Sequence, residues 1–90
     1  MKIIAVCGVG MGTSLILRMN IEEVFRQNGI EASVEHSDVS SAKGMDYDYI
    51  ATSNELAEAF DGDKKRVVII NNYTDKEEIK EAFTKVGVIK

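Results

Sequence analysis

The chain has 90 residues, a net charge of −4 and a 44% apolar composition, enough for one domain over 1–90 and too ordinary for a disordered chain. The acidic balance argues against nucleic acid or an anionic membrane as a general partner, and no apolar run approaches the roughly 20 residues of a membrane helix. A single cysteine excludes an internal disulfide, a Cys-x-x-Cys redox pair and a multi-cysteine zinc site.

Met1 to Val6 turns polar and glycine-rich within a few residues. That is too soon for a secretory segment, so the chain reads as cytoplasmic. Residues 2–7 form a short, unalternating apolar run, as in a strand buried on both faces. Gly8-Val9-Gly10-Met11-Gly12 reads as a turn. Thr13 or Ser14 then caps a helix to about Asn28, with Leu17, Ile21, Val24 and Phe25 on one face. Asn28-Gly29 is a stop signal. Residues 31–36 alternate, as a strand near an edge does. Ser37 to Gly44 is a polar loop with room for one helical turn. Tyr47 to Thr52 is the third strand, and Ser53 or Asn54 caps a short helix ending near Phe60. Asp61-Gly62-Asp63 is a turn, and Arg66 to Asn71 has the strongest strand character in the chain. Thr74 or Asp75 opens a last helix with Ile79, Ala82, Phe83 and Val86 as its buried stripe, and Gly87 ends it.

Alternating strands and helices define an α/β fold. Right-handed crossovers give a four-stranded parallel sheet, order 2-1-3-4, in a three-layer α/β/α Rossmann-like sandwich. Ligands of such sheets bind beyond the carboxyl ends of the strands, where the strand order reverses. In this order that point lies between strands one and three, beside Cys7–Ser14 and Thr52–Asn54. Cys7 therefore ends the central strand at the expected crevice, which sets it apart from a filler thiol.

The motif is Cys7-Gly8-Val9-Gly10-Met11-Gly12-Thr13-Ser14. Glycines let a backbone wrap with its N–H groups turned inward. The following helix adds free N–H groups and a positive dipole end, and Thr13 and Ser14 add hydroxyls. Together these cradle a tetrahedral dianion and favour the Cys7 thiolate, the nucleophilic form. Residues 1–21 hold Lys2 and Arg18 and no acid, as an anion site prefers. The arrangement needs no metal and no cofactor. It is not a Walker A loop, because no lysine precedes Thr13. It is not a dinucleotide fingerprint either, because Gly8, Gly10 and Gly12 are spaced G-x-G-x-G. Low-molecular-weight tyrosine phosphatases resemble it more closely, but Thr13 stands where their arginine would clamp phosphate, and no Asp-Pro acid is present. A site that binds phosphate without the hydrolytic groups holds its phosphocysteine and passes it on.

Over essentially its whole length the chain resembles the IIB components of the bacterial phosphoenolpyruvate-dependent sugar phosphotransferase system (PTS). The resemblance is carried by Cys7 at the end of strand one and the following Gly-x-Gly-Met-Gly-Thr-Ser. It is nearest the ascorbate and galactitol group, with the lactose and cellobiose group next. The resemblance implies that Cys7 accepts a phosphoryl group from a histidine of the IIA partner. Cys7 then donates it to a sugar bound by the membrane component IIC, without inserting into the membrane itself. Gly8, Val9, Gly10, Met11, Gly12, Thr13 and Ser14 then form the phosphate-binding loop. A phosphate-sensing module of the same fold and a cysteine phosphatase are the alternatives.

Outside the motif, His36 reads as an exposed strand-end residue, and Arg18 as a solvated or partner-contacting one. Ser53 and Asn54 read as helix caps, Asn71-Asn72-Tyr73 as loop-shaping, and Glu77, Glu78 and Glu81 as a solvated helix face.

Overall fold

The computed structural model describes residues 1–6, 11–60 and 66–89, with the backbone alone at 11–14. Four strands and four helices alternate: β1 (Lys2–Val6), α1 (Met11–Gln27), β2 (Ser33–Ser37), α2 (Val39–Lys43), β3 (Tyr49–Thr52), α3 (Asn54–Ala57), β4 (Val67–Ile69) and α4 (Lys76–Lys85). The sheet is parallel throughout, in the order β2-β1-β3-β4, as expected.

Ile3, Ile4, Ala5 and Val6 of β1 are all fully buried, because helices cover both faces of the sheet. Alternation divides them between two cores. Ile3 and Ala5 join Leu17, Ile21, Val24, Phe25, Ile79 and Phe83 under α1 and α4. Ile4 and Val6 join Ala42, Ile50 and Phe60 on the α2–α3 side. The expected stripe of α1 is the buried one. That of α4 is centred on Ile79 and Phe83, with Ala82 and Val86 half-buried beside it.

Several boundaries differ from the sequence reading. Neither Thr13 nor Ser14 caps α1, which already begins at Met11. A glycine inside a helix costs only about 1 kcal/mol, and the buried stripe over the rest of α1 offsets the cost of Gly12. β2 starts at Ser33 rather than Glu31, because its register opens opposite Lys2, where β1 itself starts. β3 starts at Tyr49; Asp48 before it makes a side-chain anchor, its Oδ2 accepting from the Lys2 N–H at 2.7 Å. The polar stretch after β2 holds α2, capped by Asp38, whose carboxylate accepts from the Ser41 N–H at 2.7 Å. β4 is confined to three residues, although Ile70 N–H still donates to the Thr52 carbonyl at 2.8 Å. The turn expected at Asp61-Gly62-Asp63 lies outside the described residues.

Ser53 caps α3 and Asp75 caps α4, each one of the two residues expected. Gly29 and Gly87 take φ of 69° and 85°, a region open to glycine without strain.

Two carboxylates sit below their ordinary range. A hydrogen bond from Lys76 to Glu23 (Nζ to Oε2, 2.7 Å) ties α4 to α1 and holds Glu23 down. The Ser41 backbone N–H does the same for Asp38. A carboxyl whose folded pKa is depressed stabilises the fold above its unfolded pKa, and that contribution is lost as pH falls through the folded value. Both groups are solvent-exposed, so the effect is small. The urea midpoint therefore declines as pH falls below about 4.5, and the Glu23→Gln/Asp38→Asn double variant shows a shallower decline over the same range.

Candidate functional site

The strand order reverses at one place, between β1 and β3. After β1 the chain enters α1 on one face of the sheet, and after β3 it enters α3 on the other. β1 and β3 are neighbours, and sheets of this kind take their ligands beyond the carboxyl ends of the two strands where the order reverses. Val6 and Thr52 are the last residues of the two strands.

Thr52 is fully buried, and its Oγ1 donates to the Val6 carbonyl at 3.0 Å. That carbonyl belongs to the peptide that continues into Cys7. The bond thus clamps the exit of β1 to the exit of β3. Thr52→Val keeps the shape and removes the donor, leaving a buried acceptor short of a partner. Urea unfolding is expected to show a loss of about 1–3 kcal/mol.

The remaining loops at this end are tied by polar contacts. The Ser53 hydroxyl accepts from the Leu56 N–H at 3.4 Å. The Asn54 N–H donates to Asn71 Oδ1 at 3.2 Å, joining the loops after β3 and β4. Asn72 Oδ1 accepts from both the N–H and the hydroxyl of Thr74. Ser53 as a cap and the asparagines as loop-shaping residues therefore match expectation. Glu78 does not. Its Oε2 accepts from the Asn71 and Asn72 N–H groups at 2.6 and 3.0 Å, so it shapes the loop rather than joining a solvated face. The signal was present in Asp75-x-x-Glu78, which puts a carboxylate in the first turn of α4, beside the loop that leads into it. Glu77 and Glu81 are exposed, as expected.

Arg18 and His36, read separately in the sequence, meet. Arg18 Nη1 lies 3.4 Å from His36 Nδ1, and its Nε donates to Glu22 Oε1 at 3.0 Å. His36 is half-buried near the end of β2, which corrects the reading of an exposed histidine. Asn20 Nδ2 donates to the Tyr73 carbonyl at 2.7 Å, linking α1 to the loop after β4.

Cys7, Gly8, Val9 and Gly10 lie outside the described residues, as do the side chains of Met11, Thr13 and Ser14. The backbone of Met11 to Ser14 forms the first turn of α1, corrected from a turn and cap. The first N–H groups of a helix have no partner within it, and its dipole is positive at that end. No acid occupies that first turn. Among the described residues no cluster of acidic, histidine or cysteine side chains is arranged to hold a metal ion, and no helix is long and apolar enough to cross a membrane.

The fold defines the class first. A structure of the lactose-specific IIB component domain of the phosphotransferase system from Streptococcus pneumoniae superposes with a TM-score of 0.69 at 18% identity, covering 96% of this chain and 93% of that one. A low-molecular-weight protein tyrosine phosphatase from Bacillus subtilis superposes at 0.61 with 10% identity, covering 96% of each. At such identities these matches establish a shared architecture. The family follows from sequence. Residues 2–85 match the model of the PTS system lactose/cellobiose specific IIB subunit family. The chain is also 37% identical over 89 residues to the ascorbate-specific PTS system EIIB component of Mycoplasma pneumoniae, covering 96% of this chain and 94% of that protein. The chain belongs to the PTS IIB family, a family of phosphotransferases that work within sugar transport.

Proposed function

We propose that this protein is a cytoplasmic phosphoryl relay in which Cys7 accepts the phosphoryl group of a IIA phosphohistidine and passes it to a sugar held by the membrane component IIC. The observation that carries the reading is the position of the chain's single cysteine, directly after the last residue of β1, the strand that borders the crevice. Family membership supports it.

In the first step the Cys7 thiolate lone pair forms the S–P bond. The P–N bonding pair returns to the donor imidazole, which leaves neutral when its other nitrogen carries a proton. In the second step a sugar hydroxyl oxygen attacks phosphorus, the S–P pair returns to sulfur, and the hydroxyl proton goes to a base on the acceptor side or to water. The N–H groups of Gly8, Val9, Gly10, Met11, Gly12, Thr13 and Ser14, with the Thr13 and Ser14 hydroxyls, stabilise the charge in both steps. Thr13 in place of an arginine favours transfer over hydrolysis. The identity with an ascorbate-specific relative supports a system of the ascorbate and galactitol group, with the choice of sugar made by IIC.

Intact-mass measurement tests the acceptor role. Incubation with phosphoenolpyruvate, the general phosphotransfer proteins and the cognate IIA is expected to add about 80 Da, one phosphoryl group, to wild type and nothing to Cys7→Ser. No gain in wild type sinks the reading. Steady turnover of p-nitrophenyl phosphate above the Cys7→Ser background makes the protein a phosphatase instead.

A further inference from the structure

β3 ends in Thr52, the one fully buried polar residue among those described. It bonds to the strands on both sides of it. Its carbonyl accepts from the Ile70 N–H at 2.8 Å, toward β4. Its hydroxyl donates to the Val6 carbonyl at 3.0 Å, toward β1. The register of β1 with β3 runs from Ile3 opposite Tyr49 to Ala5 opposite Ala51. The Val6 carbonyl therefore lies one residue beyond the paired stretch, and a side chain takes it. Val6 and Ile70, at the same end of the neighbouring strands, are apolar and fully buried. A buried hydroxyl among such residues is costly unless it is bonded. The bond it makes is directional, and its acceptor is the last carbonyl before Cys7.

A peptide unit is planar, with its C=O and N–H opposed. Fixing the direction of the Val6 carbonyl therefore fixes that of the N–H across the same peptide, which belongs to Cys7. It also fixes the point from which the Cys7 side chain departs. The unit carries a dipole of about 3.5 D. A thiolate and a bound phosphoryl group are stabilised by N–H groups and opposed by carbonyl oxygens. Rotation of this peptide out of the sheet turns the wrong end of that dipole toward them. The Thr52 hydroxyl opposes the rotation by holding the carbonyl toward β3.

We propose that Thr52 is a positioning residue for phosphoryl transfer: its hydroxyl, acting through the Val6 carbonyl, sets the orientation of the peptide that carries Cys7. The proposal rests on the reading of Cys7 as acceptor. Thr52 neither touches the phosphoryl group nor moves a proton. Its effect falls on the chemical step, where a reacting atom misplaced by about 1 Å costs on the order of 10²-fold. It does not fall on docking of the donor, because a fully buried side chain presents nothing to a partner.

The test measures kcat and KM for loading of Cys7 by phosphorylated IIA, and the pH profile of Cys7 alkylation by iodoacetamide. Thr52→Val is expected to lower kcat about tenfold or more, to leave KM unchanged and to move the alkylation midpoint upward. Thr52→Ser keeps the hydroxyl and restores both readouts to near wild type. Ile79→Val, a methyl deletion in the core under α4, also loses stability but changes neither readout. Where Thr52→Val melts below the assay temperature, Thr52→Ala gives the same changes in the same direction. Wild-type kcat and an unshifted alkylation profile in Thr52→Val overturn the proposal. So does an equal loss in Ile79→Val, which makes the effect one of general loosening. A change confined to KM, or a Thr52→Ser as slow as Thr52→Val, overturns it too. A wild type that never loads defeats the acceptor reading itself, and the alkylation profiles then decide the positioning of Cys7 on their own.

Discussion

Cys7→Ser will fail to relay phosphate, with sugar phosphorylation falling on the order of 10³-fold or more, as when a catalytic nucleophile is removed. The substitution changes one atom, so packing is not at issue. An alcohol has no accessible anionic form near neutral pH, whereas a cysteine thiol does. The first turn of α1 has no acid, and the nearest acid along the chain is Glu22. Both features favour the anion. Alkylation of Cys7 against pH is therefore expected to titrate below the value of free cysteine. A normal or raised value would contradict the electrostatic part of the mechanism, and retained transfer by Cys7→Ser would contradict the assignment of the nucleophile.

Phe83→Ala will give the largest stability loss, about 3–5 kcal/mol. Phe83 is fully buried on α4 and meets Phe25 of α1 edge-to-face, with ring centroids 4.8 Å apart at 79°. The two rings couple both helices on that face to each other and to the sheet. A domain of this size has about 5–15 kcal/mol in all, and the melting temperature should fall on the order of 15 °C or more. Phe83→Leu fills much of the volume and should cost far less. Equal losses for the two variants in urea unfolding would show that ring volume is not what matters there.

Much of this architecture was legible because its signals are local. Ile3 to Val6 form an unbroken apolar run, and they are buried on both faces. Leu17, Ile21, Val24 and Phe25 keep helical spacing, and they form the inner stripe of α1. Asp75 and Ser53 are cap residues by chemistry and cap the helices they precede. The strand order followed from crossover handedness, which constrains any chain of alternating strands and helices. The Cys7 motif was conspicuous for the same reason, since glycines and hydroxyls at the start of a helix are a contiguous pattern.

What stayed hidden depends on residues distant in sequence. Thr52 and Val6 are 46 residues apart, and only sheet pairing brings the hydroxyl to the carbonyl. Arg18 and His36 meet because β2 packs beside α1. α1 starts early despite the low helix propensity of Gly12, and β4 stops at Ile69, ahead of the strand-poor Asn71. Leu15, Ile16 and Met19 are as apolar as the inner stripe, and only packing shows that they are left exposed. The sequence alone thus determined the elements and the order of the sheet, because these follow from spacing and residue type. The tertiary structure decided which polar groups clamp the crevice and which apolar groups are left facing outward, because both depend on where separate segments come to rest against one another.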